Sequence, residues 1–106
     1  MITINSDANP VQVLPGLTRR TLATGQSIMI CEFTFDAHIE IPVHTHPHEQ
    51  VGYLAKGRME MIIDGKKYEL KMGDTYCALP NVPHGAFSLE PSVMVDTFCP
   101  PREDYR

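Results

Sequence analysis

Apolar residues recur at every second position in several short stretches of the chain. Met29, Cys31, Phe33 and Phe35 fall on one side of an extended segment, and Met59, Met61 and Ile63 on one side of another, with Arg58, Glu60 and Asp64 opposite. A period of two is the signature of a half-buried β-strand, because successive side chains point to opposite faces of a sheet. Nine prolines and seven glycines, spread throughout, leave few windows for an uninterrupted helix. Turn signals instead follow one another closely, among them Pro15-Gly16, Thr24-Gly25, Asp64-Gly65, Gly73-Asp74, Pro80-Asn81 and Glu90-Pro91. Asp64-Gly65 sits between two alternating runs and requires positive φ at both positions, which predicts a tight hairpin. Roughly nine or ten strands are expected, over 2–5, 11–14, 17–24, 27–35, 39–46, 50–56, 58–63, 67–71, 75–79, 85–90 and 92–98, with some of the early ones merging. So many short strands must close on themselves or pair as two sheets, since open edges template aggregation. The expected fold is all-β, a single domain over 1–106 built as a small barrel or jelly roll. Residues 1–14 could pair within this barrel or cross to a partner.

Length and charge narrow the class. With 106 residues, 42% of them hydrophobic, the chain can bury roughly two thirds of its unfolded surface and build one core without disulfides. Its net charge is −4, from 9 Lys+Arg against 13 Asp+Glu, and no cluster of cations offers itself to a phosphate backbone or an anionic membrane. Neither nucleic acid nor membrane is an expected partner. Cys31, Cys77 and Cys99 are odd in number and widely spaced, which fits a reducing cytoplasm, and Cys77 and Cys99 read as small buried hydrophobes. The first ten residues lack a basic start and an apolar core, and no apolar run approaches the ~20 residues of a membrane span, so a soluble, unprocessed, cytoplasmic protein is expected. The apolar faces of Ile2, Ile4, Val11 and Val13 could join an intermolecular sheet, and a homodimer is expected.

The candidate chemistry lies in Pro42-Val43-His44-Thr45-His46-Pro47-His48-Glu49-Gln50, which holds three of the five histidines. On an extended strand His44 and His46 point to one face about 7 Å apart, close enough for both imidazoles to converge on one ion. Pro47 cannot donate a ladder bond, so the strand should bend there and re-enter at Glu49 or Gln50. By parity Gln50 shares the face of His44 and His46, while Glu49 faces away. A fourth imidazole, His84, follows the rigid turn Pro80-Asn81-Val82-Pro83. Two imidazoles on one face repel if protonated and need partners if buried, so one divalent transition metal accounts for them most simply. His38, beside a turn, reads as an ordinary histidine, and His48 as a rim residue or a support for the ligands.

The segment from Pro42 to Gly57 resembles the first motif of the cupin superfamily, and Gly73-Asp74 to His84-Gly85 resembles the second. That resemblance implies a double-stranded β-helix with the ion inside the barrel and His44, His46, Gln50 and His84 as its ligands. Gln50 stands where glutamate is usual, and Leu79 and Asn81 stand where proline and glycine are usual. A neutral amide leaves the charge of the ion unneutralised, which favours Lewis acidity over access to a higher oxidation state. Isomerase or lyase chemistry is therefore preferred to oxygen activation. Nickel, zinc, iron and manganese all suit such a donor set.

The chain ends with Asp96-Thr97-Phe98-Cys99-Pro100-Pro101-Arg102, in which Asp96 and Phe98 share a strand face. Arg102 could return over the barrel mouth to hold a substrate carboxylate, or could form a surface salt bridge, and local sequence weighs these equally. Together with the two histidine motifs, this ending resembles the small cupins of the KdgF type, which open the ring of 4,5-unsaturated uronates released from pectin or alginate. The resemblance implies a sugar-acid substrate, the linear 5-keto-4-deoxyuronate as product, and Asp96, Phe98 and Arg102 as active-site residues. Asp96 would be the base and Arg102 the carboxylate anchor, while Phe98 would wall the sugar face or simply pack in the core. Tyr53 and Met59 or Met61 are expected to line the same cavity. An iron(II) dioxygenase and a non-enzymatic metal- or sugar-binding module are the competing readings.

Overall fold

A computed structural model describes all 106 residues. Ten strands run antiparallel in two sheets: β1 (Pro10–Leu14), β2 (Leu17–Thr24), β3 (Met29–Phe35), β4 (Glu40–His44), β5 (Glu49–Lys56), β6 (Arg58–Ile63), β7 (Lys66–Lys71), β8 (Thr75–Ala78), β9 (His84–Ser88) and β10 (Ser92–Cys99). One sheet has the order β1-β2-β3-β10-β5-β8 and the other β4-β9-β6-β7. The all-β, two-sheet architecture is the one the alternation predicted. Met29, Cys31, Phe33 and Phe35 are buried from the larger sheet, and Met59 and Met61 from the smaller, with Leu54, Met94 and Phe98 completing the core between them. Each large side chain so buried contributes about 1.5–3 kcal/mol against exposure. Asp64 and Gly65 take φ of 50° and 80°, the left-handed pair that the hairpin joining β6 to β7 demands.

Several expectations require correction. No strand forms over 2–5; the segment ends in a short 3-10 turn at Asn5–Asp7, and Ile2 and Ile4 are exposed. The Asn5 amide donates to Glu32 Oε1 at 3.1 Å and Arg20 donates to Asn5 Oδ1 at 3.1 Å, which ties the segment across the larger sheet instead of along its edge. β1 pairs with β2 of its own chain, Pro10 opposite Arg20 and Val11 opposite Arg19. Cys77 and Cys99 are exposed, unlike the buried Cys31. Their register puts Cys77 opposite Val51 and Cys99 opposite Glu49 on the outer face, while Tyr76, Ala78 and Phe98 take the inward positions. Tyr53 is likewise half-exposed and lines no cavity, because its neighbours Gly52 and Leu54 point inward. β4 stops at His44, so His46 projects from a loop and not from the same strand.

Candidate metal centre

His44 closes β4 and His84 opens β9, and the two are directly paired across the smaller sheet. His46 reaches the same place from the loop that carries the chain into β5. That loop is held by the turn before β9, where Asn81, at φ 65°, donates its N–H to the His46 carbonyl at 2.8 Å. Ring centroids lie 4.4 Å apart for His44 and His84, 4.7 Å for His46 and His84, and 5.6 Å for His44 and His46. One ring nitrogen from each lies within 4.8 Å of the others, so the three could hold a metal ion.

Local hydrogen bonds set the tautomers. Each Nδ1 faces a backbone carbonyl two residues away: His44 that of Pro42 at 2.9 Å, His46 that of His48 at 3.0 Å, and His84 that of Val82 at 2.9 Å. A carbonyl can only accept, so Nδ1 carries the proton and each Nε2 presents a lone pair. Two observations test whether a cation fits these lone pairs. His84 Nε2 is buried with no hydrogen-bond partner, a desolvation cost that a ligand bond would offset. His46 Nε2 lies 2.9 Å from Gln50 Oε1, and with Nδ1 holding the proton these are two acceptors facing one another. Converging lone pairs without a shared proton are the donor set a divalent ion takes. Burial lowers the pKa of both His46 and His84, which keeps them in the neutral form that ligates.

Behind Gln50 runs a buried polar chain. The Gln50 Nε2–H donates to the Tyr76 hydroxyl at 2.5 Å, and that hydroxyl donates to Asp96 Oδ1 at 2.5 Å. Tyr76, Gly52 and Asp96 sit side by side on β8, β5 and β10. A Cβ at position 52 would overlap both the Tyr76 ring and Asp96 Oδ1, so glycine is what lets the pair meet. Burial pushes the Asp96 carboxyl up to about 7, outweighing the hydrogen bonds from Tyr76 and Gln50 that favour its charged form. Burial also drives the Tyr76 hydroxyl well above 10, with the Asp96 charge adding to the shift.

His44, His84 and this chain open on one cavity of about 60 Å³, room for roughly four to six waters at about 10–15 Å³ each. His44 and His84 line it from the smaller sheet and Gln50, Asp96 and Phe98 from the larger, and Arg102, Met59 and Met61 complete the wall. Phe98 is 1% exposed and belongs to the core and the cavity wall alike. The Arg102 guanidinium lies over the Tyr105 ring, 4.1 Å from its centroid, and 5.6 Å from the centroid of Phe98. It also pairs with Asp104, Nε to Oδ1 at 3.2 Å and the terminal nitrogen to Oδ2 at 2.9 Å. Arg102 therefore lines the cavity and forms its ion pair with Asp104 at the same time.

Glu49 is exposed and faces away, and His48 is half-buried, its ring 5.4 Å from that of His46. His38 lies apart, stacked on Phe87. Tyr76 and Tyr105 were missed by the reading of the sequence. The available signal for Tyr76 was that it shares inward parity with Ala78, and a buried phenol needs a hydrogen-bond partner.

The sheet order, the paired histidine motifs and the cavity between the sheets define a cupin. A profile of the cupin domain matches residues 31–98, and the chain belongs to that family. Within it, the chain is 40% identical over 93 residues to the pectin degradation protein KdgF of Dickeya dadantii (strain 3937), covering 85% of this chain and 84% of that one. The solved structure of KdgF from Halomonas sp. superposes with a TM-score of 0.95 at 33% identity, covering 100% of this chain and 98% of the other. An RmlC-like cupin from Shewanella frigidimarina NCIMB 400 gives 0.93 at 31% identity over all of both chains.

An ion that binds only the folded chain stabilises it by about 2.7 kcal/mol at a hundredfold excess over Kd. Nickel or zinc is thus expected to raise the melting temperature of chelator-treated protein by about 10 °C. His84→Ala should remove that increment, and an equal increment in the variant would place the ion elsewhere.

Proposed function

We propose that this protein is a metal-dependent cupin isomerase that opens the ring of 4,5-unsaturated uronates produced in pectin breakdown. The observation that carries the reading is a cavity lined by His44, His84 and Gln50 together with Asp96, Phe98 and Arg102, with His46 joined to the same cluster through the other imidazoles and Gln50 Oε1. The similarity to KdgF proteins over most of the chain supports the same substrate class. A divalent ion held by His44, His46, Gln50 and His84 would supply Lewis acidity toward the oxygens of a sugar acid.

The chain's own residues account for the rest. Arg102 offers a planar fork to the substrate carboxylate and fixes its orientation. Asp96, with a carboxyl poised at about 7, takes the proton of the anomeric hydroxyl. As C1 becomes an aldehyde, the C1–O5 bond breaks and its electron pair remains on O5. C5 then becomes a ketone while C4 gains a proton, so no atom is added or lost overall. Phe98 and the methionines behind it keep bulk water from the opened chain. Proton transfer of this kind contributes about 10²–10⁴-fold.

The test is spectroscopic. Metal-loaded protein is expected to accelerate the loss of the conjugated alkene absorbance of unsaturated galacturonate. An unchanged rate with nickel, zinc, iron(II) and manganese each loaded in turn would remove this function while leaving the metal centre untouched.

A further inference from the structure

We propose that Tyr76 is a positioning residue for the metal centre, whose hydroxyl dictates which end of the Gln50 amide faces the imidazoles. The inference rests on the reading of Gln50 as a ligand and deepens it. An amide is nearly symmetric in shape, so packing alone cannot choose between its oxygen and its nitrogen. Tyr76 can choose, because its hydroxyl has a single proton. The neighbouring Asp96 Oδ1, in the ionised carboxylate, accepts that proton at 2.5 Å, which leaves only lone pairs on the phenol oxygen toward Gln50. The amide end at 2.5 Å from that oxygen must then be the N–H₂, and Oε1 must be the end 2.9 Å from His46 Nε2.

The alternative orientation has a definite consequence. With the amide reversed, its N–H would donate to His46 Nε2 and occupy the lone pair that an ion needs. The protein would close its own site with an internal hydrogen bond. Tyr76 and Gln50 are each 8% exposed, so their contact is shielded from bulk solvent. Gly52 belongs to the same device, since any side chain there would displace the Tyr76 ring from Asp96.

Tyr76→Phe keeps the ring and removes the hydroxyl. Chelator-treated wild type and variant, each titrated with nickel against a chromophoric competitor, should differ by about 10–100-fold in Kd, the usual consequence of losing a group that orients a ligand. Gln50→Glu supplies the control, because a carboxylate has two oxygens and no donor end to turn inward. The loss caused by Tyr76→Phe should therefore shrink in the Gln50→Glu background, whereas a merely structural role would give the same loss in both. Unchanged nickel affinity in Tyr76→Phe, or equal losses in the two backgrounds, overturns the inference. Should Tyr76→Phe fail to fold, the wild-type side-chain amide protons of Gln50 decide the matter by nuclear magnetic resonance. Slow exchange and a contact to the Tyr76 ring are expected, and rapid exchange overturns it. None of these measurements uses a sugar, so their outcome is separate from that of the ring-opening assay.

Discussion

Asp96→Asn is expected to cost about 10²–10⁴-fold in turnover and, in the same protein, to stabilise the metal-free fold at neutral and higher pH. The first effect follows from chemistry, since an amide cannot take up a proton. The second follows from burial: Asp96 is 5% exposed, and its carboxyl moves from an ordinary 3.8 to about 7 in the fold. Below pH 3.8 both folded and unfolded chains hold the proton and the fold has its full advantage. As pH rises toward 7 the unfolded chain releases a proton that the folded chain retains, so stability falls across that interval and levels off above it. The total is on the order of a few kcal/mol. Asparagine carries no such penalty, and its oxygen still accepts from Tyr76. His46 and His84, whose pKa values burial lowers, act with opposite slope, weakening the fold as pH falls through and below 6.5. They are present in both proteins, as are Tyr76 and Arg102 at the same cavity, and they cancel in the difference. Urea melts of chelator-treated wild type and Asp96→Asn from about pH 4 to about pH 8 are therefore expected to diverge steadily with pH. Parallel curves would mean that Asp96 ionises as freely as in water.

The parts of this design that could be seen in advance are those that depend on side chains being present. Met29, Cys31, Phe33 and Phe35 announce a strand because a sheet with one wet face must alternate, and all four are buried as that rule requires. His44 and His46 were legible together because two imidazoles on one face repel if protonated, and His84 because it stands in the second motif. They meet although His46 leaves the strand, since the loop tied by Asn81 brings its ring back. The Tyr76–Asp96 contact was hidden because its enabling feature is an absent side chain, the glycine at position 52. Residue type alone puts Cys77 and Cys99 inside, yet strand parity turns them outward, and parity prevails because Tyr76 and Phe98 fill the inward positions. The run Ile2-Thr3-Ile4 alternates like a strand, but alternation supplies no pairing partner, and the Asn5 contacts to Glu32 and Arg20 lead it elsewhere.

Arg102→Ala should lower kcat/KM for an unsaturated uronate sharply while leaving the nickel content unchanged. Truncating one partner of a buried, hydrogen-bonded charge pair costs about 2–5 kcal/mol, which corresponds to about 30-fold to several-thousand-fold. The Arg102 side chain is 16% exposed, so little solvent screens the pairing it would make with a substrate. Its present partner makes the prediction sharper. Asp104 holds both nitrogens of the fork in the geometry a substrate carboxylate would use, and its own side chain is 61% exposed. An incoming carboxylate must therefore displace Asp104, swinging a rim residue out into water at small cost. Asp104→Asn weakens the resident partner and should lower KM a few-fold with kcat little changed, the opposite sign from Arg102→Ala. If both variants raise KM together, Asp104 holds the guanidinium in place for the substrate instead of competing with it. If Arg102→Ala leaves kcat/KM intact, the substrate carboxylate binds elsewhere in the cavity.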